Sequence, residues 1–231
     1  MIVKWVAWDR KEINMYDYIS DKEFLKRMRG LCSNIINQLI QAINNDSVMT
    51  VEAHLVGSGA KHLETQNANE PIDLDYNICI LEIEEFNIND GRQIKEYIRK
   101  QFNTVLKANG WGDCQDSTSA LTTEKRHFTK GNPTEFSMDV GIVVESNDEW
   151  YRLIHKKTGY AAYDEYYWNK MPDSKGLTKR VNRLKKNHLW QEVRDTYLDK
   201  KNLYLRRRDY DHPSFNVYIE AVNEVYFKYF D

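Results

Sequence analysis

Three aspartates and one glycine-serine turn are the residues of this chain most able to do chemistry. In Ile72-Asp73-Leu74-Asp75-Tyr76-Asn77-Ile78-Cys79-Ile80 polar and apolar residues alternate. On a strand, successive side chains point to opposite faces. Ile72, Leu74, Tyr76, Ile78 and Ile80 therefore share a buried face, and Asp73, Asp75 and Asn77 share the other. A second amphipathic strand follows in Phe136-Ser137-Met138-Asp139-Val140-Gly141-Ile142-Val143-Val144, with Ser137 and Asp139 on its polar face. If the two strands are neighbours, three carboxylates converge. Such a cluster repels itself unless a cation fills it, and oxygen-only ligands suit Mg²⁺ or Mn²⁺. Upstream, Val51, Leu55 and Val56 lead into Gly57-Ser58-Gly59. The glycines allow a tight turn with no side chain blocking a ligand. Residues 60–66 are expected to start a helix, whose free N–H groups would suit phosphate, with the Ser58 hydroxyl and the Lys61 ammonium beside them.

The remaining chain must position these groups. Ser20 or Asp21 caps a helix expected over 22–44, with Phe24, Met28, Leu31, Ile35, Leu39 and Ile43 at helical spacing. A second helix is expected over 90–109, from Asp90 to the stop at Asn109-Gly110. Strands are expected over 117–129 and 134–145, around the turn Lys130-Gly131-Asn132-Pro133. Ile2–Trp8 reads as a short strand or a packed arm. Past Ser146-Asn147-Asp148 helices are expected over 147–157, 161–170, 174–187, 189–201 and 213–229. The fold class is thus α+β: a small mixed sheet with helices over 1–146, then a helical domain over 147–231.

This order of motifs resembles the nucleotidyltransferase superfamily, which includes DNA polymerase beta, the oligoadenylate synthases and the cyclic GMP-AMP synthases. The resemblance rests on Gly57-Ser58, Asp73-x-Asp75 and Asp139, and covers residues 48–145. Gly57-Ser58-Gly59-Ala60-Lys61 also looks like the GSxxK form of the oligoadenylate synthases. No subfamily follows from the rest of the chain. The resemblance implies transfer of a nucleoside monophosphate from an NTP, ATP foremost, to an acceptor hydroxyl, with release of pyrophosphate. Asp73 and Asp75 would hold two metal ions; Asp139 would complete one of them or act as a base. The acceptor, whether small molecule, nucleotide, RNA or protein, is not readable. The alternative is a catalytically silent module that binds nucleotide or RNA on the same fold.

The uneven charge would suit a polyphosphate held between two parts, or is simply two oppositely charged surfaces. Residues 1–150 hold 16 Lys/Arg and 24 Asp/Glu, a net of −8, whereas residues 151–231 hold 17 and 11, a net of +6. Within the basic part, Lys179 and Arg183 fall near one helix face and are candidates for nucleotide contact, against the plainer reading of a solvated face. Tyr160, Tyr163, Tyr166, Tyr167 and Trp168 read as core, or as supplying a ring to a nucleobase. The three cysteines, Cys32, Cys79 and Cys114, are odd in number and widely spaced, which predicts a reducing, cytoplasmic compartment and no zinc site. His54, three residues before the turn, reads as structural. H-E-x-x-H, Walker A and G-x-S-x-G motifs are absent. No apolar run approaches the ~20 residues of a membrane span, and Met1–Glu12 lacks the apolar core of a signal peptide.

Overall fold

The computed structural model describes residues 14–172, 175–209 and 213–230. The arm read at Ile2–Trp8 lies outside them. In chain order the elements are β1 (Tyr16–Tyr18), α1 (Lys22–Asn45), β2 (Met49–Leu55), a 3₁₀ turn at Gly59–Lys61, β3 (Thr65–Asn67), β4 (Ile72–Ile83), α2 (Gly91–Ala108), β5 (Gln115–Asp116), β6 (Leu121–Thr122), β7 (Phe136–Ser146), β8 (Glu149–Lys156), a second 3₁₀ turn at Ala161–Tyr163, β9 (Glu165–Lys170), α3 (Lys175–Lys186), α4 (Trp190–Arg206) and α5 (Ser214–Phe230).

Alternation on β4 and β7 produces the centre of the molecule. The two strands pair in parallel, and the main sheet runs β2-β4-β7-β6-β5, with β8 and β9 extending from the far end of β7. Leu74, Ile78, Met138 and Val140 are fully buried on one face, under α1 and α2. Those helices form where expected because their ends are fixed. The Asp21 carboxylate accepts from the Phe24 N–H at 2.9 Å, and that of Asp90 from the Gln93 N–H at 2.9 Å. Each such cap contributes on the order of 1 kcal/mol. A second apolar cluster joins α3, α4 and α5 through Leu184, Val193, Val217 and Val222, with Leu63 from the segment after the turn. Thus the helical part docks beside the Gly57-Ser58 turn.

Several expectations are corrected. The segments 147–157 and 161–170 are the strands β8 and β9, not helices. Asn147 and Asp148 both have positive φ, 53° and 61°, and form a tight hairpin link from β7 to β8. Leu153 and His155 turn inward on β8, a two-residue period, and on β9 the partly buried Tyr166 and Trp168 do the same. The sheet therefore continues to Lys170, and the helical part begins at Lys175. The strand expected over 117–129 is reduced to β6 and a bridge from Arg126 to Phe136, with β5 just before it. The helix expected over 60–66 is only the turn at Gly59–Lys61, because His62 takes a left-handed φ of 55° and the chain departs into β3.

β1 carries no clear sequence signal. Its Tyr16 N–H donates to the Asn202 side-chain oxygen at 2.7 Å, the Asn202 amide returns a bond to the Tyr16 carbonyl at 3.0 Å, and β1 pairs with β3. α4 thereby fixes Tyr16 near the end of β4. At the other end of the sheet, Asp116 sits 2.6 Å from the Lys95 ammonium and 2.7 Å from His155, whose other ring nitrogen is 2.9 Å from Asp164. This ion network ties the β8–β9 link to α2.

Candidate active site

Register brings the acids together. On the paired strands, Asp75 lies opposite Asp139 and Asp73 opposite Ser137. Each acid has a local support. The Ser137 hydroxyl donates to Asp73, and the Thr122 hydroxyl donates to Asp139 at 2.5 Å from β6, which pairs Thr122 with Asp139. The Gly57 turn closes over Asp75. The Val56 N–H donates to the Asp75 carbonyl at 2.8 Å, and a Cβ on Gly57 would stand 2.2 Å from the Asp75 carboxylate oxygen. Only glycine leaves that oxygen its room.

Around this floor lies a cleft of about 460 Å³ between the sheet and the helical part. Gly57, Ser58, Lys61, Asp73, Asp75 and Asp139 all line it. Lys61 donates to the Gly57 carbonyl at 3.1 Å and lies 5.0 Å from the centre of the Tyr218 ring. The opposite wall contributes groups that sequence reasoning missed: Tyr16, Tyr197, Lys201, Phe215 and Tyr218. The Lys201 ammonium donates to the Thr65 hydroxyl at 2.8 Å and sits 3.9 Å from the centre of the Tyr16 ring. Arg152 on β8 donates to Asn77 at 2.9 Å, and its charge reaches both Asp75 and Asp139. Reading 147–157 as a helix conceals Arg152. A period-two reading of that stretch would have placed it on a sheet.

Lys179 and Arg183 are not among the lining residues. Lys179 is exposed on α3. The Arg183 guanidinium donates to the Tyr226 hydroxyl at 2.9 Å and covers the Phe230 ring at 4.1 Å, so it fastens α3 to α5. Of the α3 cations, Lys185 is the one whose charge is felt at Lys61.

Burial and neighbouring charge disturb Asp75 and Asp139. The Asp75 carboxyl is pushed up to about 6, first by burial, then by the charges of Asp139 and Asp73, with Arg152 and Lys61 opposing. Asp139 is raised by burial, while its Thr122 hydrogen bond lowers it. Burial lowers Lys61, and lowers Lys201 to about 8. Partly desolvated Asp75 and Asp139 beside the exposed Asp73, with cations that only partly offset their repulsion, fit a hard divalent cation. The three carboxylates are nevertheless spread out. Among the described residues, the one set of three ligating side chains with all donor atoms within 4.8 Å is Glu52, His54 and Cys79. Asp73 and Asp139 are each engaged by a hydroxyl.

A pH effect follows from Asp75. Its carboxyl titrates near 6 in the folded chain against an ordinary value of 3.8. Folding therefore takes up a proton between those values. The destabilisation is full above about pH 6, fades as pH falls, and vanishes below the unfolded value. The displacement of about two units corresponds to ~3 kcal/mol. In chelator, the stability gap between Asp75→Asn and wild type should be widest at about pH 8 and shrink towards about pH 5. Urea titrations of both proteins measure it; a gap that does not change with pH would show that Asp75 is not held in this repulsive setting.

No protein-family model matches the sequence, and no curated protein is recognisably similar to it. Solved structures are. The chain superposes on CdnC of E. coli MS115-1 in its complex with HORMA-deltaN with a TM-score of 0.53 at 14% identity, over 92% of this chain and 61% of that one. For the same CdnC with ATP the TM-score is 0.53 at 15% identity, over 94% and 67%. A weaker likeness, TM-score 0.49 at 12% identity over 77% and 45%, is to Vibrio cholerae DncV cyclic AMP-GMP synthase in complex with a linear intermediate. The chain spans about two thirds of the CdnC chains or less. What it shares with CdnC is the α+β fold.

Proposed function

We propose that this chain of nucleotidyltransferase fold transfers a nucleoside monophosphate from an NTP to an acceptor hydroxyl. The observation that carries the reading is the pairing of Asp75 with Asp139, beside Asp73, under the Gly57-Ser58 turn in one cleft. CdnC, which shares the fold, has been solved with ATP, which supports an NTP in this cleft. Asp73, Asp75 and Asp139 would hold the metal, Mg²⁺ or Mn²⁺. When bound, it supplies charge neutralisation for the phosphates and lowers the pKa of the acceptor hydroxyl.

The chain's own groups do the rest. Gly57 and Ser58 present backbone and a hydroxyl to the phosphates without steric obstruction. Lys61 and Lys201 both line the cleft with partly desolvated ammonium groups, suited to a polyphosphate. Phe215, exposed where it lines the cleft, offers an aromatic face for a base. Asp139, desolvated and held by the Thr122 hydroxyl, would either complete the metal site or take the acceptor's proton as a base. The acceptor oxygen bonds to the α-phosphorus, the bond from that phosphorus to the bridging oxygen breaks, and pyrophosphate leaves.

The test uses Mg²⁺ or Mn²⁺, α-labelled NTPs singly and mixed, and a panel of hydroxyl acceptors, reading label transfer and pyrophosphate. Nucleotide bound without pyrophosphate on any acceptor would move the reading to a binding module. Nucleotide affinity should fall on Lys61→Ala and Lys201→Ala by about 10- to 100-fold each, since charge-assisted hydrogen bonds contribute ~1.5–3 kcal/mol. Ser58→Ala should lose less, about fivefold, for a neutral bond of ~1 kcal/mol. Calorimetric titration with a non-hydrolysable NTP measures all three. Wild-type affinity in both lysine variants would remove the cleft as the phosphate site.

A further inference from the structure

The polar face of the sheet carries a second set of ligating groups away from the aspartates. β2 is the edge strand and pairs antiparallel with β4, placing Glu52 opposite Cys79 and His54 opposite Asn77. Glu52 and His54, two residues apart, project from the face on which Cys79 stands. The His54 Nε2 lies 3.0 Å from a Glu52 carboxylate oxygen, and one donor atom from each of the three residues falls within 4.8 Å of the others. Cys79 is buried, while the Glu52 and His54 side chains are about half exposed, at 49% and 55%.

The geometry points to a zinc-class cation site formed by Cys79 Sγ, His54 Nε2 and a Glu52 carboxylate oxygen, clipping the edge strand β2 to β4. Donor type separates it from the aspartate cluster. Sulfur with imidazole selects a borderline-soft cation, whereas three carboxylates select a hard one. A tetrahedral zinc with ligand bonds of about 2.0–2.3 Å needs donor atoms about 3.3–3.7 Å apart, a small side-chain rotation from the spacing present. On binding, the Cys79 thiol gives up its proton to solvent and becomes the thiolate ligand. Thiolate and carboxylate together neutralise the dication. The exposed side leaves a fourth position to water. Cys79 is four residues past Asp75 on β4, roughly 13 Å along the strand, so the two sites are separate. Linear spacing conceals the set, because its third member comes from the neighbouring strand. The clip would anchor β2 just before the turn at Gly57, and it does not depend on the chain catalysing transfer.

Cobalt(II) and zinc titrations of the whole chain test it. Wild type and the Asp73→Asn/Asp75→Asn double variant should each develop the same thiolate-to-cobalt charge-transfer band, which zinc displaces, whatever further cobalt the aspartate cluster takes up in wild type. His54→Ala should lose the band and bind zinc at least ~100-fold more weakly, beyond the 10–100-fold typical of losing an outer partner. Glu52→Ala should weaken binding in the same direction. Both side chains are exposed, so neither variant depends on the fold tolerating a change at buried Cys79; Cys79→Ser should abolish the band. No thiolate band in wild type, or one that persists unchanged in His54→Ala and Glu52→Ala, would overturn the site.

Discussion

Asp73→Asn, Asp75→Asn and Asp139→Asn should each abolish nucleotidyl transfer while leaving the chain folded. Asn keeps the size of the side chain and an acceptor oxygen, so the bonds from Ser137 to position 73 and from Thr122 to position 139 survive. What disappears is the charge a cation needs. Without metal, Asp75→Asn should even melt higher than wild type, because the carboxylate it replaces is disfavoured by burial and by two neighbouring charges. Mg²⁺ or Mn²⁺ should stabilise wild type by mass action, about 2.7 kcal/mol at a hundredfold excess over Kd. For a domain of this size that is roughly 5–10 °C in Tm. The Asn variants should gain much less, and chelator should silence the wild-type activity. Melting curves with and without metal, beside pyrophosphate release, check each part. Equal metal-dependent stabilisation of wild type and Asp75→Asn would sink the metal site. Stabilisation without turnover would leave the site and remove the enzyme.

The acids were legible because their strands alternate around Asp73, Asp75 and Asp139 and because β4 and β7 are central, where burial of one face enforces register. A shift of one residue would bury Asp75 against α1. Caps at Asp21 and Asp90 made α1 and α2 equally readable. β8 and β9 were not, since their aromatic-rich stretches satisfy a helical spacing as well as a period of two, and the Asn147-Asp148 turn looks like a boundary in one dimension. The second wall of the cleft was hidden for a different reason. Tyr16 and Asn202 lie 186 residues apart and meet only once α4 docks. Lys201 comes with that docking. Conversely, a basic stripe on α3 says nothing about its neighbour, and Arg183 turns to Tyr226 and Phe230 on α5 rather than to the cleft.

Gly57→Ala should disable the site through sterics alone, without touching a charge. Its φ is +61°, a left-handed conformation that costs a residue with a Cβ about 1–2 kcal/mol. The new methyl would also stand 2.2 Å from an Asp75 carboxylate oxygen. The turn cannot easily withdraw, because the Val56 N–H is bonded to the Asp75 carbonyl at 2.8 Å and Lys61 is bonded to the Gly57 carbonyl at 3.1 Å. Asp75 must therefore rotate away from Asp139 and Asp73, or the turn must distort where the phosphates would lie. Gly110→Ala is the control. Its φ is +75°, but a Cβ there meets nothing within 4 Å. Gly110→Ala should lose only the backbone contribution and keep both metal-dependent stabilisation and transfer. Gly57→Ala should lose a further ~1–3 kcal/mol to overpacking, about 2–12 °C of Tm beyond the control, and with it the stabilisation by Mg²⁺. Circular dichroism establishes that both variants fold, and the metal-dependent Tm shift separates them. A wild-type metal response in Gly57→Ala would mean that Asp75 does not work at the place where the turn closes over it.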